Sequence, residues 1–300
     1  MIDWLLIVLP GVIWGASFLF IAEGLTAVAP DGVTFIRIVV GFLTLSTVPG
    51  ARKAIVKSDW LGVAGLGLLW FAFPMSMFPY AEQWISSALT GMLNGTVPLF
   101  ATAIAAALHR RWPSPMVSAG IGGGLFGGVL MAWPGLGVGG SSALGVTIII
   151  AACISYGFAV NLARPLQQRN GALPVVWRAL AVALVLTAPL GLPKALHGHW
   201  TLWPVLSLLA LGALGTCVAN VLTTIAAGRL GAPAASVAGF IIPVVALLLG
   251  VAVRGEHVAA ISIVGGAICL VSAWIVRRAS MQAAAAAAAV PASATAAAAK

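Results

Sequence analysis

Arg37 and Arg178 are the only charged residues well inside apolar stretches of this chain. They sit in the segments Thr34-Phe35-Ile36-Arg37-Ile38-Val39-Val40-Gly41 and Val176-Trp177-Arg178-Ala179-Leu180-Ala181. Each is close enough to one end of its stretch for its stem to carry the charge out to lipid headgroups, which is the simpler reading. Arg37 has a second option: Glu23 and Asp31 stand at the neighbouring stretch ends and could hold its guanidinium in a gate. No acidic residue accompanies Arg178, which would turn to carbonyls, lipid phosphate or an anionic substrate.

Uncharged side chains at depth are the other candidates for a binding site. Asn94 and Asn220 need an internal partner or a watery cavity, so each fits either substrate contact or a bond between helices. Trp14, Trp70 and Tyr156 are also deep and fit the walls of a central cavity or plain packing. Trp4, Trp60, Trp84, Trp112, Trp200 and Trp203 instead fit interfacial belts. Pro98 and Pro243 each remove a backbone donor about ten residues into a stretch, which makes them candidate hinges or fixed bends.

An intramembrane enzyme, such as a protease or lipid transferase, is the alternative from another class, and the residues give it little support. Cys153, Cys217 and Cys269 are isolated in separate stretches, His109, His197, His199 and His257 border loops, and no Cys-x-x-Cys or His-x-x-x-His spacing occurs. No deep carboxylate pair or activated nucleophile is present, so no catalytic residue, metal or cofactor is expected. Gly122-x-Gly124-x-x-Gly127 formally matches a dinucleotide fingerprint, but no strand precedes it. The same glycines, spaced as Gly120-xxx-Gly124, Gly123-xxx-Gly127 and Gly124-xxx-Gly128, let another helix approach closely. That use is expected within the chain rather than between copies, giving a monomer. Asn94-Gly95-Thr96 is a glycosylation sequon only in form, because it lies within a stretch.

The elements that carry these residues follow from composition. Hydrophobic residues make up 61% of the chain and charged residues 7%, against roughly 25% charged in soluble domains. A bilayer core about 30 Å thick takes a helix of about 20 apolar residues, and lipid offers backbone amides no other partner. The expected fold is an all-α integral membrane protein with ten transmembrane helices. They run over approximately 4–25, 31–50, 60–80, 84–108, 115–133, 143–164, 173–193, 202–227, 233–253 and 259–278. The first lacks a basic n-region and a cleavage site, so it is expected to be retained.

With a cytoplasmic N-terminus, the inner loops and the C-terminal end hold eleven basic residues: Arg52, Lys53, Lys57, Arg110, Arg111, Arg164, Arg169, Arg229, Arg277, Arg278 and Lys300. The outer loops hold two, Lys194 and Arg254, so both termini are expected in the cytoplasm. The net charge of +9 is then mostly a topology signal that also attracts anionic lipid, with no implication of nucleic-acid binding.

The halves repeat. Trp14-Gly15 matches Tyr156-Gly157, Arg37 matches Arg178, Pro98 matches Pro243, and Gly122-Gly123 matches Gly265-Gly266, at offsets between 141 and 145. A five-helix unit is odd, so the second copy enters the membrane inverted, as in many secondary transporters with a midplane site between the halves. The expected organisation is 1–140 and 141–280 as repeats, with 281–300 as an Ala-rich, disordered cytoplasmic tail.

Trp14-Gly15-Ala16-Ser17-Phe18, Arg37, the Ala/Ser/Gly-rich approach to Pro98-Leu99-Phe100, and the run from Pro243-Val244-Val245 through Gly255-Glu256 to Gly265-Gly266 appear in this order. With ten spans, this arrangement over residues 4–278 resembles the EamA-type members of the drug/metabolite transporter superfamily. One departure is His109-Arg110-Arg111 in the first unit where the second has Gly255-Glu256. The resemblance implies a transporter of small metabolites or amino acids, often outward, in a bacterial-type inner membrane. The expected function is a secondary transporter of small organic metabolites, an exporter or exchanger of amino acids or related compounds; no ATP-binding loop is present. An exporter of hydrophobic cations coupled to protons is the alternative, weakened because no Asp or Glu lies in the middle of a span.

Overall fold

The computed structural model describes residues 3–110, 112–136, 141–231 and 235–289, and among these every regular element is helical. Arg111 and residues 290–300 of the expected tail lie outside the described residues. Among the described residues, eight helical stretches are long and apolar enough to cross a bilayer: Leu5–Gly24, Lys57–Ala81, Ser87–Leu108, Pro115–Pro134, Ser142–Asn170, Ala172–Leu196, Leu202–Leu230 and Ala260–Gln282. Two further helices, Pro30–Ser46 and Ala238–Arg254, have 17 residues each. That is the lower edge of what crosses about 30 Å of hydrocarbon. The last helix runs on to Ala289, past the basic pair Arg277-Arg278, because alanine is the best helix former and nothing here interrupts it.

Local chemistry sets the helix ends. Pro30 opens its helix after extended Ala29, where a missing N–H costs nothing. Ser86 caps the helix Ser87–Asn94 by accepting from the Leu89 amide at 3.2 Å. Helix Ala238–Arg254 closes on Gly255 in the left-handed region (φ 64°), and Arg110 takes a similar φ of 51° after Val97–Leu108. This is a conformation glycine adopts more easily than arginine.

Glycines bring the helices together. A Cβ on Gly15 would lie 2.9 Å from the Ile242 carbonyl, and one on Gly157 would lie 3.1 Å from the Phe100 carbonyl carbon. The first helix thus packs on Ala238–Arg254, and Ser141–Asn170 on Val97–Leu108. Gly120, Gly123 and Gly127 all face the final helix, whereas Gly124 faces Leu99 and Gly122 faces open space. A Cβ on Gly127 would meet the Gly265 carbonyl at 2.6 Å. This glycine surface packs within the chain.

Two stretches are wound as π-helix, Gly67–Ala72 and Leu211–Val218. Gly67 touches Ala179 and Val182 of Ala172–Leu196, and Gly212 touches Arg37 and Val40 of Pro30–Ser46. These contacts align Arg37 with Ala179, not with Arg178. The sequence match of the two arginines is therefore one residue out of register, and one residue turns a helical side chain by about 100°.

The prolines differ as well. The stretch containing Pro98 is two helices, Ser87–Asn94 and Val97–Leu108, broken at Gly95-Thr96, so Pro98 sits in the first turn of the second rather than inside a bent helix. Pro243 lies inside an unbroken helix and packs on that break, 2.8 Å from the position of a Gly95 Cβ.

Candidate functional site

A cavity of about 220 Å³ lies at the middle of the bundle. That is room for a small organic molecule. Of the residues singled out by sequence, Trp14, Arg37, Trp70, Asn94, Pro98, Tyr156 and Asn220 line it, with Ser17, Phe18, Phe71, Phe78 and Gly215 among their neighbours. Glu23, Asp31, Arg178 and Pro243 are not on its wall.

The wall is built from the irregular helices. Trp70 and Phe71 come from one π-helical turn and Gly215 from the other, and such turns recur at functional sites because they re-aim side chains and free carbonyls. Trp14 Nε1 donates to the Gly215 carbonyl at 2.9 Å, and Asn220 Nδ2 donates to the Thr216 carbonyl at 2.8 Å. Phe18 meets Phe78 edge-on with ring centroids 5.5 Å apart, and Phe78 stacks on Tyr156 at 5.9 Å. Both rings of the deep pair Trp14 and Tyr156 are thus held at the cavity edge by packing and a backbone bond. The Asn94 side-chain oxygen is buried and has no hydrogen-bond partner among the described residues.

Arg37 is 6% exposed and reaches into this wall. Its Nε donates to Thr216 Oγ1 at 3.2 Å. It therefore neither snorkels nor pairs with Glu23 or Asp31, which corrects both sequence expectations. Glu23 bonds Arg254 instead, and Asp31 accepts from the Tyr80 hydroxyl at 2.8 Å. Arg178 lies elsewhere, donating to the Pro174 carbonyl at 3.3 Å with its guanidinium carbon 5.8 Å from the Trp60 ring and 5.3 Å from the Trp177 ring. Aromatic faces and a carbonyl hold that charge.

Polar bonds tie the first half of the chain to the second at each end of the bundle. At one end Glu256 accepts from Ser87 Oγ at 2.7 Å, the Ser87 amide at 3.1 Å and the Ala88 amide at 2.9 Å, sealing the N-terminus of helix Ser87–Asn94. Arg254 joins Glu256 at 3.6 Å to Glu23. At the other end Asp59, 6% exposed, accepts from Arg169 Nη2 at 2.7 Å and Asn170 Nδ2 at 2.6 Å. The Val56 amide donates to Asn170 Oδ1 at 2.7 Å. Sequence reasoning quoted Glu256 only as part of a motif and passed over Asp59, because their partners are more than 100 positions away.

Glu82 is the other residue missed, because an acid at the end of an apolar stretch reads as solvated until the fold buries it. Both its carboxylate oxygens are buried without a hydrogen-bond partner among the described residues. Burial, helped by the nearby Glu256 carboxylate, holds its carboxyl well above the usual range, against the opposing pull of Arg254 and Arg37. The folded chain therefore keeps this proton where the unfolded chain, with an ordinary carboxylate pKa of about 4.3, has lost it. Stability then falls as pH rises from there towards the raised value. Glu82→Gln is expected to melt at a higher temperature than the parent in detergent, by a margin that widens from pH 5 to pH 8. A margin constant with pH would show that Glu82 keeps no such proton.

Helices long and apolar enough to cross a membrane thus surround a small, aromatic-walled cavity. The EamA-like transporter family model matches residues 2–133 and again 143–278, and the chain belongs to that family. It is 23% identical over 269 residues to the uncharacterized transporter YdfC of Bacillus subtilis (strain 168), covering 85% of this chain and 84% of that one. It is 25% identical over 247 residues to the uncharacterized transporter YoaV of the same organism, covering 79% and 84%. A solved crystal structure of a protein superposes with a TM-score of 0.59 at 18% identity, over 91% of this chain and 95% of that chain, a likeness of fold alone.

Proposed function

We propose that this protein is a secondary transporter of small organic metabolites, an exporter or exchanger of amino acids or related compounds. In this reading ten spanning helices form two inverted repeats, 1–140 and 141–280, which rock about the central cavity in a bacterial inner membrane. The basic residues put both termini, and with them the 281–300 tail, in the cytoplasm. The observation that carries the reading is one cavity of about 220 Å³ between two sets of bonds, Glu256 with Ser87 and Ala88 at one end and Asp59 with Arg169 and Asn170 at the other. Breaking the sets in turn would open the cavity to each side alternately. The repeat is supported by paired contacts: Gly67 on Val182 with Gly212 on Val40, and Gly15 on Val245 with Gly157 on Ile104.

Counterflow in proteoliposomes tests this across amino acids, sugars, nucleosides and drug-like cations. Saturable counterflow confined to the amino-acid class is the expected result. Folded protein that exchanges none of these classes would overturn the transport reading.

A further inference from the structure

Arg37 is a buried cation that uses one of its five guanidinium N–H donors among the described residues. Thr216, itself 0% exposed, holds Nε. Among the described residues, neither terminal nitrogen of the guanidinium has a hydrogen bond or an ion pair. Among the described residues no acid contacts it: Glu23 bonds Arg254, Asp31 bonds Tyr80, Glu256 bonds Ser87 and Ala88, and Glu82 lies near enough to feel its charge but has no partner at either oxygen. A charge taken from water into a low-dielectric interior without a counterion is strongly unfavourable, and such residues in membrane proteins mark substrate or ion pathways.

The surroundings shape what the counterion can be. With Nε fixed, the free edge of the fork presents two parallel N–H donors, the geometry that matches a carboxylate in two-point contact. Space is kept for it by Gly215, where a Cβ would sit 3.9 Å from Arg37 Nη2 and 2.8 Å from Ser17 Oγ. Around the fork the wall is Trp14, Phe18, Phe71 and Tyr156, which suits an apolar body. The unpartnered Asn94 oxygen can take one N–H donor.

We propose that Arg37 is the receptor for the substrate's carboxylate, so that the transported class is small molecules with one carboxylate on an apolar body. This rests on the proposed transport function and narrows it. It disfavours hydrophobic cations, which the fixed positive charge repels.

The test uses the purified full chain and three acid and ester pairs: L-phenylalanine, L-leucine and 3-phenylpropionate, each against its methyl ester. Binding is read from quenching of intrinsic tryptophan fluorescence, since Trp14 and Trp70 line the cavity. At least one acid should bind saturably and roughly tenfold or more tighter than its ester, the scale of a charge-assisted pair. Arg37→Gln should bring that acid to the level of its ester, and Arg37→Lys should keep part of the preference. Should Arg37→Gln fail to fold, Thr216→Val, close to isosteric, frees Nε and should weaken acid binding severalfold while leaving ester binding unchanged. Equal binding of acids and esters, no binding of any acid, a preference that survives Arg37→Gln, or acid binding left undiminished by Thr216→Val would overturn the assignment. Counterflow of another compound class alongside equal binding would sink the Arg37 assignment alone, whereas absence of all counterflow would remove the transport reading instead.

Discussion

Glu256→Ala is expected to leave the cavity open at the Glu256 end. The carboxylate holds three donors on helix Ser87–Asn94, and two of them are backbone amides of residues that are 3% and 0% exposed. Once stripped of their acceptor, buried amides cost about 1–3 kcal/mol each while that end stays closed. In an open end the same amides meet water, so the penalty falls on the closed state alone. A total of about 3 kcal/mol shifts the balance of the two states by roughly a hundredfold. Counterflow should drop at least tenfold, because a transporter must visit both states in each cycle. A cysteine placed at Ser17 on the cavity wall, in a background without Cys153, Cys217 and Cys269, should label faster with an impermeant thiol reagent added from that side. Unchanged labelling would mean that Glu256 caps a helix and controls no gate.

Asp59→Ala should act in the opposite sense. Its carboxylate ties Arg169 and Asn170, across the chain's two halves, at the far end of the bundle. Arg169 is 59% exposed, so solvent screens that pair and the Asn170 bond carries most of the effect. The shift is accordingly smaller, about 1–2 kcal/mol or roughly tenfold. The Ser17 cysteine should label more slowly from the Glu256 side and faster from the Asp59 side. Combined with Glu256→Ala, the change should move labelling part of the way back. If both single variants favour the same side, the two sets of bonds do not alternate, and alternating access about this cavity is wrong.

How much of this was legible in the sequence follows from the range of the forces involved. Spans such as Leu5–Gly24 and Ala172–Leu196 are written locally, because an apolar run has only its own backbone to bond with in lipid. The depth of Trp14, Trp70, Asn94, Tyr156 and Asn220 is also local, since it is a count of residues from the ends of a run. Their meeting in one cavity depends on helix rotation, which no linear spacing encodes across segments.

Arg37 and Arg178 show the limit most clearly. Their depth and their offset of 141 were visible at once. Yet Arg37 faces Thr216 and the cavity, while Arg178 lies between Trp60 and Trp177. The tertiary packing alone decides this, because a one-residue change in register rotates a side chain to another face. The acids follow the same rule. Glu23, Asp31, Asp59, Glu82 and Glu256 were each in plain view, but a carboxylate's role is fixed by its partner. Arg254 lies 231 positions from Glu23, and Ser87 lies 169 from Glu256. Only folding, by bringing helix ends together, chose those partners and left Glu82 and the terminal nitrogens of Arg37 without one among the described residues.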